Sequence, residues 1–360
     1  MESIRIRTDD EFRWPDFLLA VVLVVATFIV LYLGFIFLRD NQSAPVVTAI
    51  FAIVWGVGGV LTLYFVANNF VEKLPHGWST RLQPFIFVGP AIALLAWYLA
   101  VPTVRSLVLS MQSNRGNGFV GLQNYLDIFN SRIMQEAFTN NLLWMVVGTT
   151  LVVSFGLLIA ILADRSSFEN PAKALIFLPM AISMVGAGII WKFIYDFNPN
   201  VGLLSSVVTG AGGQAQDWLR QVQPWNNIFL IIVMVWLQTG YAMVLFSAAI
   251  KGIPDELLEA ARVDGASELV IFFRIIVPSI SGTIVVVITT VIIFTLKLFD
   301  IVMVMTGGQF GTEVIGVRFY REMFTNNNPG YASAIAIVLL IAVIPVMIYN
   351  LREFNKGRAF

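Results

Sequence analysis

Long apolar stretches are the feature that most restricts what this chain can fold into. Eight segments each hold about 20 or more mostly apolar residues, the length of helix that crosses the hydrocarbon core of a bilayer. Lipid offers no partner to a free backbone N–H or C=O, so each segment must be helical. We therefore predict an all-α polytopic membrane protein with about eight transmembrane helices, at residues 17–38, 45–67, 84–109, 141–163, 174–196, 227–250, 280–305 and 331–351.

The polar residues exclude several classes of function. The chain has no cysteine, which rules out disulfides, thiolate metal sites and iron–sulfur clusters. His76 is the only histidine, so we expect neither a histidine metal site nor a Ser-His-Asp triad. The formal net charge is zero, and no basic field points to nucleic acid. We predict no catalytic residue and no metal site.

The distribution of Lys and Arg predicts the orientation of the spans. An even number of spans puts both termini on one side of the membrane. If the termini are cytoplasmic, the segments on the cytoplasmic side hold more Lys and Arg than those on the outer side. Because positive residues favour the cytoplasmic side, we expect both termini to be cytoplasmic. The polar stretch Asn68 to Arg81 is the best boundary in the sequence. It predicts a two-helix N-terminal extension, residues 1–80, and a six-helix core, residues 81–360.

The loop 251–279 reads as a structured segment between two spans. Pro254 suits the first position of a helix, where a missing N–H is harmless, and Asp255 and Glu256 complement the helix dipole. Gly265 suits a left-handed cap at the end of this helix. The pattern predicts a short helix that ends at this glycine.

A second helix is expected to begin near Ser267, and Pro278 ends the passage. The loop is then a short helix, a glycine break and a second helix. From the physics alone, an amphipathic hairpin lying on the membrane surface fits this pattern equally well.

The same loop resembles the EAA loop of binding-protein-dependent ABC importer permeases. The family pattern is Glu-Ala-Ala, three residues, Gly, nine residues, then Ile-x-Leu-Pro. Ile253 to Ala266 matches the fuller sugar-permease form "IPxxLxEAAxxDGA", and Val277 replaces the usual Leu. The residues that carry the shorter pattern are Glu259, Ala260, Ala261, Gly265, Ile275 and Pro278.

Weaker similarities lie on both sides of the loop, in the order that carbohydrate permeases show. Residues 121–125 are similar to a "GLxNY" segment, and residues 297–308 to a "KxFDxxxxxTGG" region. The layout resembles the maltose-type F subunit family, and residues 306–313 look closest to α-glucoside-type permeases. The resemblance implies the type I ABC importer permease architecture and a multi-pass protein of the bacterial plasma (inner) membrane.

The resemblance also implies partners and a function. The chain would be the permease subunit of an ATP-driven importer of an oligosaccharide or α-glucoside. Its partners would be a second homologous permease, an ATPase dimer, an extracytoplasmic sugar-binding protein and the lipid bilayer. ATP and Mg would bind to the ATPase, since this chain has no G-x-x-x-x-G-K-[ST] loop and no cofactor of its own. The implied ATPase-coupling residues are Glu259, Ala260, Ala261, Asp264 and Gly265.

Candidate substrate contacts follow from the same resemblance, counted from the EAA loop. A polar midplane cavity with aromatic and hydrogen-bonding side chains would suit a sugar. Helix packing is the alternative role for the same positions. The implied substrate-binding residues are Leu237, Gln238, Tyr241, Val291, Thr295 and Leu298.

Charged residues in the fifth and seventh spans need a partner or water. Lys297 and Asp300, at i and i+3 on one helix face, are predicted to form an intramembrane ion pair, with direct sugar contact as the alternative. Lys192 and Asp196, near the outer end of their span, are expected to reach water. An ion-coupled secondary transporter remains the alternative function, although Asp300 is the only deep acidic residue and no internal repeat is evident.

Overall fold

Helices make up the regular structure of this chain. The structure, a computed structural model, describes residues 13–40, 45–113 and 118–356, and within these ranges the only bridge between extended residues joins Gln112 to Phe119. The helices are α1 (Trp14–Asp40), α2 (Pro45–Glu72), α3 (His76–Leu95), α4 (Val101–Ser110), α5 (Gln123–Asn130), α6 (Arg132–Leu143), α7 (Thr149–Asp164), α8 (Glu169–Phe177), α9 (Met184–Ile194), α10 (Leu203–Gly210), α11 (Trp225–Lys251), α12 (Asp255–Val263), α13 (Glu268–Ile271), α14 (Val277–Ser279), α15 (Ser281–Leu296), α16 (Asp300–Met305), α17 (Ile315–Tyr320) and α18 (Pro329–Lys356).

The chain divides into two compact units, Met1–Val104 and Arg105–Phe360. In the first unit, α2 packs against both α1 and α3. Most of the apolar side chains of these helices are exposed, as expected for helices surrounded by lipid. The division between the compact units, after Val104, lies further along the chain than the predicted boundary at residue 80. The two-helix extension therefore stays a prediction.

The predicted transmembrane segments are confirmed as apolar and mostly helical, with interruptions in the fifth and seventh. Within the described residues, six helices are long and apolar enough to cross a membrane, or up to eight if two bent pairs each form one span. The first bent pair overlaps the predicted fifth span, and the second joins the end of the loop 251–279 to the predicted seventh span. The first bends by 101° between Ala181 and Met184, and the second by 71° between Ser279 and Ser281.

Local sequence explains both bends. Pro179 lies in a 3-10 turn, Ile182 is extended, and the Ser183 hydroxyl accepts a hydrogen bond from Gly186 N at 3.1 Å, which starts a new helix. Pro278 has no N–H to donate, and the helix ends one residue later at Ser279, before Ile280. The apolar run continues through the first bend, so composition alone does not reveal it, whereas the second bend lies where the predicted loop 251–279 meets the predicted seventh span.

Helix α11 lies at the centre of the second unit. It packs against α7, α8, α9, α15 and α16, and much of its length is buried. Glycines allow the closest approaches. A Cβ on Gly240 would lie 2.6 Å from the Ile176 carbonyl oxygen, and one on Gly156 would lie 2.6 Å from Ala242 Cβ.

Four buried asparagines, here called the amide cluster, hold the non-helical backbone of the second unit. Asn141 Nδ2 donates to the Thr295 carbonyl at 2.9 Å, near the end of α15, and its Oδ1 accepts from Ile315 N at 2.9 Å. Such partners are required because a helix end leaves carbonyls unpaired and lipid cannot satisfy them. The members of the cluster are Asn140, Asn141, Asn226 and Asn227.

The amide cluster also fixes the loop between α16 and α17. Asn140 Nδ2 donates to the carbonyls of Gly311 at 2.9 Å and Glu313 at 2.8 Å, while Asn226 donates to that of Phe310. Four residues of this loop have positive φ, so the chain here is far from helical. They are Gly307, Gly308, Phe310 and Gly311.

The predicted ion pair between Lys297 and Asp300 is wrong. Helix α15 ends at Leu296 and α16 begins at Asp300, so the two side chains do not share one helix face. Among the described residues, neither side chain forms an ion pair. Phe299, at φ −143° and ψ −58°, interrupts the helix between them. Lys297 is exposed and Asp300 lies in the first turn of α16, where the helix dipole favours a carboxylate.

Replacing Gly240 by Ala tests the close packing of α11. The added methyl group meets the backbone at Ile176 and Phe177, which cannot move away as a side chain would. We expect a loss of about 1–3 kcal/mol in stability, typical of overpacking. The measurement is the thermal unfolding midpoint of the purified chain in detergent. Gly282→Ala in α15 is the matched control, because nothing lies within 4 Å of its added Cβ, and an equal fall in both variants would contradict this account.

Candidate functional site

The segment 251–279, here called the hairpin, has the predicted helix–glycine–helix form. Helix α12 ends in a capping motif in which Ala266 N donates to the Ala261 carbonyl and Gly265 N to that of Arg262, both at 3.0 Å. Gly265 has φ +80°, a conformation that other residues adopt only with strain. The glycine cap is therefore confirmed.

The ends of the hairpin differ slightly from the prediction. Pro254 is the N-cap of α12, one position before the predicted place. The Ser267 hydroxyl accepts from Val270 N and starts α13 as predicted. The second helix then runs through Pro278 to the bend at Ile280.

The hairpin has one face packed on the second unit and one face free. Ile253 is buried, and Leu258 and Ala261 pack against the core. On the other face Val263 is 87% exposed and Leu257 is 53% exposed. An apolar residue left this open adds little to the folding of the chain, so this face is available to another surface.

The predicted coupling residues lie together on this hairpin. Glu259, Ala260, Asp264 and Gly265 are exposed, while Ala261 is partly buried. Because the side chains of Ala260 and Ala261 are single methyl groups, the diameter of α12 is small at this point. Their role in coupling stays a prediction.

A pair of arginines joins the hairpin to the turn after α7. Arg262 Nε lies 3.0 Å from Glu268 Oε1, which links α12 to α13. The other carboxylate oxygen of Glu268 pairs with Arg165, which follows α7 directly. These groups are about half exposed, so each pair contributes little to stability on its own. Together they connect α12 and α13 to the residue that follows α7.

A more buried ionic network, here called the Lys173 network, holds the end of α11 that leads into the hairpin. Lys173 Nζ lies 2.7 Å from Glu169 Oε1 and also contacts Asp164, and both side chains of the Lys173–Asp164 pair are less than one-fifth exposed. Ser247 donates to Asp164 Oδ1 at 2.7 Å, and Lys251 pairs with Glu169. The network therefore ties α7 and α8 to the last turn of α11.

The predicted substrate residues fall into two groups. Gln238 and Tyr241, on one face near the middle of α11, are partly exposed and make no hydrogen bond with any described residue. The others lie inside the second unit and are less than one-twentieth exposed. They are Leu237, Val291, Thr295 and Leu298. The structure thus separates the set, and its role in binding stays a prediction.

Several residues that shape this unit escaped the sequence analysis. The Lys173 network, Glu268 and the amide cluster join elements far apart in the chain. A usable pattern was present for the last group: two Asn-Asn pairs stand at corresponding ends of the predicted spans 141–163 and 227–250. Over the part of the chain that the structure describes, no group of three or more His, Asp or Glu side chains could hold a metal ion.

Two curated relatives align with this chain over most of their own length. The osmoprotective compounds uptake permease protein GgtC of Synechocystis is 49% identical over 274 residues, 75% of this chain and 98% of GgtC. The alpha-glucoside transport system permease protein AglF of Rhizobium meliloti is 46% identical over 283 residues, 77% of this chain and 84% of AglF. Both are described as permease proteins.

A solved structure shares the fold. A chain of the bacterial alginate ABC transporter, crystallised with an alginate-bound periplasmic protein, superposes with a TM-score of 0.65 at 21% identity, over 74% of this chain and 91% of that one. The all-α permease architecture is confirmed. The family profile described as "Binding-protein-dependent transport system inner membrane component" matches residues 132–353. This multi-pass membrane protein belongs to that family of binding-protein-dependent transport permeases.

Proposed function

We propose that this chain is a permease subunit of an ATP-driven carbohydrate importer and that the hairpin is its contact with the ATPase subunit. The observation that carries this is the free face of α12, which presents exposed Val263 and Glu259 beside a fixed glycine turn. The names of AglF and GgtC support uptake of α-glucosides or of osmoprotective compounds. An ion-coupled transporter finds no support among these relatives.

The contacts of the hairpin suggest how a push on it would reach the spans. A partner that shifts α12 also shifts Arg262 and Glu268, and through them Arg165 at the end of α7. The Lys173 network resists independent movement of α7, α8 and α11. Motion of the hairpin is then passed to whole helices, as an alternating-access mechanism requires.

The proposed assembly places the hairpin in the cytoplasm. Both termini would be cytoplasmic, with the protein in the bacterial inner membrane. ATP and Mg would be bound by the ATPase dimer. A second permease would complete the pathway, and an extracytoplasmic sugar-binding protein would dock at the opposite end of the spans.

For sugar contact inside the membrane we favour Gln238 and Tyr241. Polar atoms within a span are costly unless they face a partner or a polar cavity. These two side chains leave donors and acceptors open near the middle of α11, which suits the hydroxyl groups of a carbohydrate.

Val263→Asp tests the coupling proposal. Val263 is 87% exposed, so the change should leave the thermal unfolding midpoint of the chain nearly unchanged. Burying a valine in a partner contributes about 1.5–3 kcal/mol, so the affinity for the ATPase subunit should fall by roughly tenfold or more. The measurement is co-purification of the ATPase subunit from membranes, with sugar uptake in the same strain.

Val222→Asp is the matched control, since Val222 is 80% exposed but lies before α11, at the end of that helix far from the hairpin. It should retain the ATPase. Glu259→Lys should behave like Val263→Asp. Full recovery of the ATPase and normal uptake in both hairpin variants would overturn the coupling role.

Gln238→Leu and Tyr241→Phe test the substrate contacts. Each removes hydrogen-bonding capacity, so the sugar concentration for half-maximal uptake should rise by roughly three- to tenfold. Thr290→Val is the control, because its exposed hydroxyl bonds only its own helix, at the Val286 carbonyl. Co-purification of the ATPase should be unaffected. Unchanged uptake kinetics in both α11 variants would remove these residues from the site.

A further inference from the structure

A cavity of about 630 Å³ lies at the end of the second unit far from the hairpin. Tyr195, in its wall, donates to the Phe229 carbonyl near the start of α11 at 2.9 Å. The hairpin follows the other end of this 27-residue helix, roughly 40 Å away at 1.5 Å per residue. The volume lies within the range of small-ligand sites. We call this space the outer cavity.

The outer cavity is lined by equal numbers of positive and negative side chains, so their formal charges sum to zero. The cations are Lys192 and Arg220, and the carboxylates are Asp196 and Asp217. Arg220 lies 3.4 Å from Asp217, whereas Lys192 makes no ion pair or hydrogen bond with any residue that the structure describes. A net-neutral wall rich in donors and acceptors favours a neutral polar ligand over an ion. A cation would be repelled by the two positive side chains of the wall, and an anion by the two carboxylates.

Aromatic faces complete the wall. Phe310 is 46% exposed, and the Arg220 guanidinium lies over its ring at 4.9 Å from the centre. Its backbone has φ 59°, and the amide cluster bonds the carbonyls of this residue and of Gly311. These bonds hold the main chain that carries the ring, and Arg220 lies over the ring itself. Phe193 and Phe197 add further exposed rings.

We propose that the outer cavity is an extracytoplasmic subsite for a small neutral carbohydrate, separate from the contacts on α11. A sugar ring has an apolar C–H face and a rim of hydroxyl groups. Phe310 supplies an apolar surface for the face, while Lys192, Asp196 and Asp217 supply partners for the rim. The proposal rests on the proposed function, since it assigns the same substrate class to a second position. The cavity would receive the sugar before it reaches the middle of the spans.

The test uses the assembled transporter in lipid nanodiscs without its binding protein. Maltose, trehalose and sucrose are the probes, glucuronate is the charged comparison, and dissociation constants are measured by saturation-transfer NMR. Lys192→Gln and Phe310→Leu should each weaken binding of the best neutral sugar by about fivefold, the equivalent of one hydrogen bond or apolar contact. Arg132→Gln, an exposed cation at the same end of the unit but outside the cavity, should bind as the wild type does.

The outcomes separate this proposal from the proposed function. Wild-type binding in both cavity variants, with loss of binding in Gln238→Leu, overturns the subsite and leaves the importer function standing. Failure of all three neutral sugars to bind, or tighter binding of glucuronate, also overturns the subsite. Failure of the coupling role proposed for the hairpin is detected elsewhere, as full recovery of the ATPase and normal uptake in both Val263→Asp and Glu259→Lys.

Discussion

The structure depends on satisfying backbone polar groups where the apolar spans are not helical. Lipid gives an unpaired carbonyl no partner, so each interruption needs one from the protein. Asn141 serves the end of α15, and Asn140 and Asn226 serve the loop before α17. Because these side chains stand on α6 and α11, the interruption is fixed to the central helices. The wall of the outer cavity is built on the same loop.

Sequence patterns predicted the features that are encoded locally. Apolar length predicted the spans, and the glycine and serine that cap the two hairpin helices were recognisable because each acts on its own backbone. The seventh span was harder. Residues 280–305 are apolar apart from a few polar residues, Lys297 and Asp300 among them, and the break at Lys297–Phe299 depends on distant partners such as Asn141. A continuous helix was assumed there, and the predicted ion pair failed with it.

Helix α11 links the two ends of the second unit. Its first turns carry two members of the amide cluster, Asn226 and Asn227, and its last turns carry Ser247 and Lys251 of the Lys173 network. Between them its side chains form much of the core, so the helix has little freedom to bend. A displacement at one end therefore appears at the other as a movement of the whole helix. This rigidity suits a subunit with binding surfaces at opposite ends.

The turn between α12 and α13 has one more consequence. It is closed by main-chain hydrogen bonds and one left-handed glycine, with no help from the side chains on the open face of α12. Those side chains can change without altering the path of the chain. Under the coupling proposed for this hairpin, the shape of the turn and the selectivity for an ATPase would then be free to evolve separately.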